Sequence, residues 1–114
     1  MITLYGIKNC DSVKKAQKYF KSNNIEVDFI DFRQTPVSDD KIFQWATLSD
    51  LNTLFNNRSR TYKELGLAKE HLEDQAKISW MQKEPLLIKR PVVEFDDKVI
   101  VGFDETKYKE VFGA

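Results

Sequence analysis

The first thirty residues alternate between strand-like and helix-like patterns of apolar positions. Met1 to Tyr5 is a short apolar run that ends at Gly6, and the polar stretch after it predicts a turn. Apolar side chains then recur at the spacing of one helix face: Val13, Ala16 and Phe20. The alternating stretch at residues 25–32 predicts a second strand. A strand, a helix and a strand in this order predict parallel strands joined by a right-handed crossover.

The middle of the chain, from about residue 36 to residue 84, predicts short helices instead of strands. Ser38 is predicted to cap the first of these helices, and Ser49 is predicted to cap a following turn. The segment Thr61-Tyr62-Lys63-Glu64 has the spacing of a capping box, so a third helix is expected to begin there.

The last third of the chain returns to strands. Residues 91–103 predict a hairpin with an acidic turn, and Asp104 is the predicted cap of a final helix. A βαβ unit and a ββα unit around one mixed sheet form the thioredoxin architecture. We therefore predict one α/β domain over residues 1–114, with a mixed four-stranded sheet. Its predicted segments are a thioredoxin-like core at about 1–35 and 85–114 and a helical insertion at about 36–84.

Composition and charge narrow the classes of function. Hydrophobic residues make up 41% of the 114 residues and charged residues 32%, which is typical of a globular protein rather than a disordered one. Eighteen basic and 18 acidic side chains give no basic excess, so direct nucleic-acid binding is not expected. The apolar runs are much shorter than the roughly 20 residues that cross a bilayer, so no membrane association is expected.

Cysteine and histidine usage bears on metal binding and location. One Cys and one His allow neither an intramolecular disulfide nor a four-ligand Cys/His zinc site, so no metal is expected. No signal-peptide pattern precedes the first strand, and a cytoplasmic location is therefore expected.

Cys10 stands between the first predicted strand and the first predicted helix, a position that favours a reactive thiol. The N–H groups and dipole at a helix start stabilise a thiolate, and Lys8 adds positive charge nearby. Asn9 is the predicted N-cap of this helix. A lone cysteine is also often a small buried hydrophobe, and its position alone leaves that interpretation open. Val13 replaces the second thiol of a Cys-x-x-Cys motif, so Cys10 is predicted to need an external thiol.

Two basic segments are candidates for binding an anion beside this thiol. Pro91 opens the predicted hairpin, and in a thioredoxin-type fold a cis proline at this point lies against the reactive thiol. The guanidinium of Arg90 would then be available for a carboxylate or an oxyanion. Arg58 lies in a polar loop between two predicted helices and is a second candidate. The alternatives are a trans proline beside a solvated Lys-Arg pair, and an ordinary polar loop.

These motifs together resemble the ArsC family, which includes glutaredoxin-coupled arsenate reductases, the Spx/MgsR regulators and the YffB-like reductases. The resemblance covers essentially the whole chain, and the opening string is especially similar to the YffB-like branch. It rests on four segments: Tyr5-Gly6-Ile7-Lys8-Asn9-Cys10-Asp11, Asn57-Arg58-Ser59-Arg60, Tyr62-Lys63-Glu64-Leu65-Gly66-Leu67 and Pro85-Leu86-Leu87-Ile88-Lys89-Arg90-Pro91.

The resemblance implies a thioredoxin-like, or glutaredoxin-like, fold with Cys10 as the nucleophile. It implies that Arg90 binds an anion and precedes a cis Pro91, and the same anion or glutathione site is expected to include Lys8, Asn9 and Arg58. It also implies that glutathione is a co-substrate rather than a bound cofactor. Glutathione or glutaredoxin is the expected resolving partner.

Three functions are compatible with this resemblance, and we expect a monothiol, glutathione-dependent thiol/disulfide reductase. One alternative is an Spx-like transcriptional regulator that binds RNA polymerase. Another is a glutaredoxin-coupled arsenate reductase. Arsenate is expected to be a poor substrate, because Lys8 and Asp11 stand where those reductases carry a histidine and a glycine around the cysteine. Asn56 and residues 101–103 stand where arginines would be expected.

Overall fold

The computed structural model describes residues 2–113, which form four strands and six α-helices in these residues. The strands are β1 (Ile2–Gly6), β2 (Val27–Asp31), β3 (Val92–Phe95) and β4 (Lys98–Val101). The helices are α1 (Asp11–Ser22), α2 (Asp39–Leu48), α3 (Leu51–Leu54), α4 (Arg60–Glu64), α5 (Asp74–Lys83) and α6 (Glu105–Phe112). Two short 3₁₀ turns lie at Leu67–Lys69 and Pro85–Leu87.

The described residues divide into two units. The sheet unit comprises residues 2–35 and 90–113, and the helical unit comprises residues 36–89. The helical unit runs to residue 89 rather than to about 84, because Ile88 forms a β-bridge with Phe55 and the Lys89 N–H donates to the Leu54 carbonyl at 2.8 Å.

The sheet of the first unit is mixed and four-stranded, in the order β2-β1-β3-β4, which confirms the predicted fold class. β1 runs parallel to β2 with Gly6 opposite Asp31. β1 runs antiparallel to β3 with Tyr5 opposite Val92, and β3 pairs antiparallel with β4. This pairing brings the ends of β1 and β2 and the start of β3 to one edge of the sheet.

Helix α1 packs on the sheet through the apolar face that its spacing predicts. Val13, Ala16 and Phe20 are completely buried. The Phe20 ring stacks on Tyr108 of α6 at 5.4 Å between ring centres and meets the edge of Phe112 at 5.1 Å. Aromatic burial of this kind stabilises a small domain strongly, so α1 is held by packing along its length.

Gly6 allows α1 to lie close to the end of β1. A Cβ atom at Gly6 would stand 2.5 Å from Cγ2 of the buried Val13, well inside van der Waals contact. Any larger residue would therefore push the start of α1 away from the strand. This close approach fixes where the loop between Gly6 and Asp11 can run.

The predicted hairpin is present, with its turn at Asp96 and Asp97. Both residues have positive φ angles, 42° and 60°, which match the twist of a tight two-residue hairpin. Acidic residues tolerate this conformation better than most, so the turn forms without the Asn-Gly sequence. Asp104 caps α6 as predicted, and its carboxylate accepts from the Lys107 N–H at 3.2 Å.

In the helical unit, α2, α3 and α4 begin with side-chain caps and α5 does not, and two of the predicted caps were wrong. Ser38 caps α2 as predicted, at 3.1 Å from the Lys41 N–H. Asp50, not Ser49, caps α3, and the Ser49 hydroxyl donates back to the Trp45 carbonyl instead. Helix α4 begins at Arg60, one residue before the predicted capping box, and Ser59 is its N-cap.

The core of the helical unit is apolar and lies under these short helices. Its completely buried side chains are Ile42, Trp45, Leu54, Met81, Leu87 and Ile88. Within residues 2–113, no helix is long and apolar enough to cross a membrane. The same residues hold no cluster of three or more side chains suited to binding a metal ion.

Candidate functional site

Cys10 is itself the N-cap of α1, so the prediction that Asn9 caps this helix was wrong. Its backbone is extended, with φ −111° and ψ 124°, and its carbonyl accepts the first helical hydrogen bond from the Lys14 N–H at 3.0 Å. No side chain caps this helix. The first N–H groups of α1 therefore have no side-chain cap, and they lie beside the thiol where they can stabilise a thiolate.

The Cys10 side chain is half-buried and is a free thiol. It packs against the apolar cluster that includes Val13 and Ala16, while the residues before it, Lys8 and Asn9, are exposed. The residue is thus partly held by the core and partly exposed. Reactive cysteines have this partial exposure, whereas inert structural ones are completely enclosed.

Asp31 positions the thiol loop, and sequence reasoning missed it. The residue is only 9% exposed, and its carboxylate accepts from the Lys8 N–H at 3.3 Å and from the Arg33 N–H at 2.9 Å. The Phe32 N–H donates to the Gly6 carbonyl at 3.0 Å, which ties the ends of the two strands together. An acidic residue at the end of a strand parallel to β1 was the signal that could have identified Asp31.

Arg90 and Pro91 lie at the same edge of the sheet as the Cys10 loop. Tyr5 pairs with Val92, so Pro91, directly before β3, lies level with the end of β1. The Arg90–Pro91 bond is cis, which confirms the predicted isomer. The Gly102 N–H donates to the Pro91 carbonyl at 2.7 Å and so anchors this turn to the end of β4. Arg90 is half-buried there.

Five of the six predicted site residues therefore share one edge of the sheet unit. They are Lys8, Asn9, Cys10, Arg90 and Pro91. Together they combine a half-buried thiol, an uncapped helix start and two cationic side chains. Such an arrangement can stabilise a thiolate and attract an anionic molecule to it.

Arg58, the sixth predicted site residue, lies in the helical unit. Its N–H donates to the Asn56 side chain at 3.1 Å in a tight turn, and its own side chain is exposed. The next residue, Ser59, is buried and caps α4. The turn thus presents the Arg58 guanidinium to solvent, and the participation of Arg58 in the thiol site stays a prediction.

The topology and the cysteine position define a class of protein: a thioredoxin-like fold with a helical insertion and a single thiol at the start of its first helix. Within this class, the chain belongs to the ArsC family, whose model matches residues 5–111.

Similar proteins cover nearly the whole chain. A Haemophilus influenzae protein is 39% identical over 98% of this chain and 99% of its own length. The Listeria innocua global transcriptional regulator Spx is 26% identical over 96% of this chain and 85% of its own length.

Solved structures show the same fold. A protein named YffB matches with a TM-score of 0.90 and 31% identity over 96% of this chain and 97% of that one. An arsenate reductase (ArsC) related protein from Brucella melitensis matches with a TM-score of 0.78 and 28% identity. That match covers 99% of this chain and 95% of the Brucella protein.

Proposed function

We propose that this chain is a monothiol oxidoreductase that uses a Cys10 thiolate and glutathione to reduce disulfides. One observation carries the proposal. The single cysteine is the N-cap residue of α1, a helix whose first N–H groups have no side-chain cap. It lies half-buried at the sheet edge that also holds Arg90 and Pro91. A structural cysteine gains nothing from a helix start, whereas a thiolate is stabilised there.

The reaction is a series of thiol–disulfide exchanges. The Cys10 thiolate attacks one sulfur of the substrate disulfide, the S–S bond breaks, and one substrate sulfur leaves as a thiolate. Cys10 is then held in a mixed disulfide. Because the chain has one cysteine, an external glutathione or glutaredoxin thiolate must attack that bond and release Cys10. With glutathione, this exchange leaves glutathione joined to the second substrate sulfur. A second glutathione thiolate then attacks that bond, so two glutathione molecules are oxidised to one glutathione disulfide for each substrate disulfide reduced.

Positive charge beside the thiol suits glutathione, which carries two carboxylates. The Arg90 guanidinium can bind one carboxylate through two parallel hydrogen bonds, and the exposed Lys8 ammonium adds charge at the entrance. Asn9 and Arg58 are further proposed contacts. The chemistry fits the cytoplasm, where glutathione keeps thiols reduced, and it needs no bound cofactor.

Arsenate is a weaker proposal for the substrate. An arsenate oxyanion develops charge during attack and needs several converging donors, and each lost donor can cost about 3 kcal/mol of barrier. The edge of the sheet offers Arg90, and residues 101–103 contribute no arginine there. Disulfide exchange needs fewer donors, because a sulfur leaving group carries the charge away.

The first experiment is intact-mass measurement after incubation with oxidised glutathione. We expect one glutathione adduct on the wild-type chain and none on Cys10→Ser. Turnover is then measured with glutathione, glutathione reductase and NADPH, using a small mixed disulfide or, separately with added glutaredoxin, arsenate. Arg90→Ala should weaken glutathione capture, while Lys98→Ala, a cation at the opposite end of the β3–β4 pair, should not. Turnover by Cys10→Ser would disprove the mechanism.

A regulator is the second candidate function, because Spx of Listeria innocua is 26% identical to this chain over 96% of the chain's length. Such a protein would bind RNA polymerase through protein contacts rather than through DNA. Binding to purified RNA polymerase, together with the absence of a glutathione adduct, would favour it over the enzyme. An adduct with turnover and no polymerase binding would favour the reductase.

A further inference from the structure

Tyr108, on α6, is completely buried and joins two parts of the sheet unit. Its ring stacks on Phe20 of α1 and meets the edge of Tyr19, each at 5.4 Å between ring centres. Cys10, at the start of α1, packs against the same apolar cluster. The ring of Tyr108 therefore helps to hold the helix that carries the thiol.

The hydroxyl of Tyr108 makes a second contact, which a phenylalanine could not make. It donates to the Gly102 carbonyl at 3.0 Å in buried surroundings. Burial, and secondarily the Asp104 carboxylate, raise the pKa of Tyr108, so the hydroxyl keeps the proton that it donates. Because a buried hydroxyl is costly unless it is hydrogen-bonded, this bond is what the oxygen contributes here.

Gly102 connects this hydroxyl to the turn that carries Arg90. It directly follows β4, whose last residue, Val101, pairs with Val92. Its N–H donates to the Pro91 carbonyl at 2.7 Å, and its φ of 84° is a conformation that glycine adopts readily. A single residue thus accepts from Tyr108 and donates to Pro91.

An anchored Pro91 carbonyl restricts where Arg90 can lie. The proline ring holds φ of Pro91 near about −65°, and the peptide bond that joins it to Arg90 is planar. Little rotational freedom therefore remains between the anchored carbonyl and the Arg90 backbone. The place of the half-buried Arg90 side chain at the thiol edge depends on this anchor.

We propose that Tyr108 positions Arg90 for glutathione binding, acting through Gly102. The inference rests on the proposed function, in which Arg90 binds a carboxylate of glutathione, and it adds a positioning residue that is completely buried and cannot touch glutathione itself. Since the hydroxyl acts on the turn and the ring acts on α1, removal of the oxygen alone should weaken glutathione capture and leave the reactivity of the thiolate unchanged.

The test compares two disulfides as reactants for Cys10 in Tyr108→Phe, which keeps the ring. Oxidised glutathione carries carboxylates, whereas bis(2-hydroxyethyl) disulfide is uncharged and has no group for Arg90 to bind. Rate constants for adduct formation are measured by intact mass, at a temperature where circular dichroism shows the proteins folded. We expect the rate constant with oxidised glutathione to fall about two- to tenfold, the range expected for one lost hydrogen bond. The rate constant with the uncharged disulfide should equal that of the wild type.

Tyr19→Phe is the matched control. It removes a buried hydroxyl from the same ring cluster, and that hydroxyl has no hydrogen-bond partner among residues 2–113. Both rate constants should stay at their wild-type values in this variant. A fall in the glutathione rate as large as that of Tyr108→Phe would assign the effect to the cluster rather than to the link through Gly102.

A double variant tests whether Tyr108 acts through Arg90. In an Arg90→Ala background, Tyr108→Phe should have no further effect on the rate with oxidised glutathione, because the group that it positions is gone. Additive losses would place the action of Tyr108 elsewhere. Equal slowing with both disulfides would leave Tyr108 a structural role only. If the wild type forms the glutathione adduct and Tyr108→Phe forms it equally fast, the positioning role alone is refuted, whereas a wild type that forms no adduct refutes the proposed function as well.

Discussion

Helix α1 of the sheet unit and the short helices α3 and α4 of the helical unit start in different ways. In the helical unit, α2, α3 and α4 each begin with a side-chain cap, from Ser38, Asp50 and Ser59. In the sheet unit, Asp104 caps α6 in the same way, whereas α1 begins at Cys10 with no side-chain cap, as α5 of the helical unit also does. The short helices α3 and α4 bury little and depend on their caps, whereas α1 is 12 residues long and is held by its packing. Packing thus leaves the first turn of α1 available for chemistry.

The largest expected effect concerns the packing that holds α1. Phe20→Ala should lower the free energy of unfolding by about 3–5 kcal/mol, because it empties the centre of a ring cluster and leaves a cavity. The measurement is urea unfolding followed by circular dichroism. Phe43→Ala makes the same chemical change on α2, where the side chain is 53% exposed, and should cost less than about 0.5 kcal/mol. Similar losses in both variants would contradict the assignment of α1 stability to packing.

The second test concerns the loop that carries the thiol. Asp31→Ala removes the acceptor for the Lys8 and Arg33 N–H groups and should cost about 1–3 kcal/mol. Because Asp31 acts on Cys10 only through the loop, the variant should also change the rate of Cys10 alkylation by iodoacetamide. Asp28→Ala, an exposed position on the same strand, should change neither quantity. If Asp31→Ala were less stable but its Cys10 reacted with iodoacetamide at the wild-type rate, Asp31 would have only a structural role.

The sheet unit was largely predictable from the sequence, because its signals are periodic and extend over many residues. The alternation at residues 25–32 and the apolar runs on either side of Asp96 and Asp97 placed β2, β3 and β4 within a few residues. Strand ends were less certain, since pairing stops where the partner strand ends. The direction of the paired strands followed from the rule that a βαβ unit is parallel and a hairpin is antiparallel, whereas the order of the strands was not predicted.

Helix starts were harder to predict, for a local reason. Three of the incorrect caps, at Asn9, Ser49 and Thr61, stand within two residues of the observed ones. Each lies in a polar run where several side chains could accept an N–H, and the packing of the following helix decides which residue becomes the N-cap. The candidate site was predictable where it depends on chain order, at Cys10 and Pro91. Asp31 was missed because its role depends on strand register.

The third test uses the buried tyrosine of the sheet unit. Burial, and secondarily Asp104, raise the pKa of Tyr108 above its usual value of 10.0, and its hydroxyl donates to the Gly102 carbonyl at 3.0 Å. Below pH 10 both folded and unfolded states keep the proton, so this group adds no pH dependence. Above pH 10 the unfolded state ionises first, and stability should fall by up to about 1.4 kcal/mol per pH unit.

Tyr108→Phe isolates this contribution. The variant loses one hydrogen bond at neutral pH, but its stability should decline less steeply above pH 10 than that of the wild type. Urea midpoints measured at intervals from pH 8 upward, at constant salt, provide the comparison. Parallel curves for the two proteins would show that the Tyr108 hydroxyl ionises as readily in the folded chain as in the unfolded one.

The smallest effects test the caps themselves. Ser59→Ala removes the hydroxyl that accepts from the Tyr62 N–H at 3.1 Å and should lower the free energy of unfolding by about 1 kcal/mol.

Cys10→Ser has the opposite expectation. Serine is a preferred N-cap, so its hydroxyl can accept from the first-turn N–H groups that the thiol leaves uncapped. Its stability should equal or slightly exceed that of the wild type, while the glutathione adduct is lost. Thermal unfolding of both variants beside the wild type measures the difference. If Cys10→Ser lost as much stability as Ser59→Ala, the sulfur would be a structural part of the core, and the open first turn of α1 would need another explanation. If it gained stability and lost reactivity together, the chain would carry a cysteine at a position where serine folds better, which is expected when a helix start is kept for thiolate chemistry.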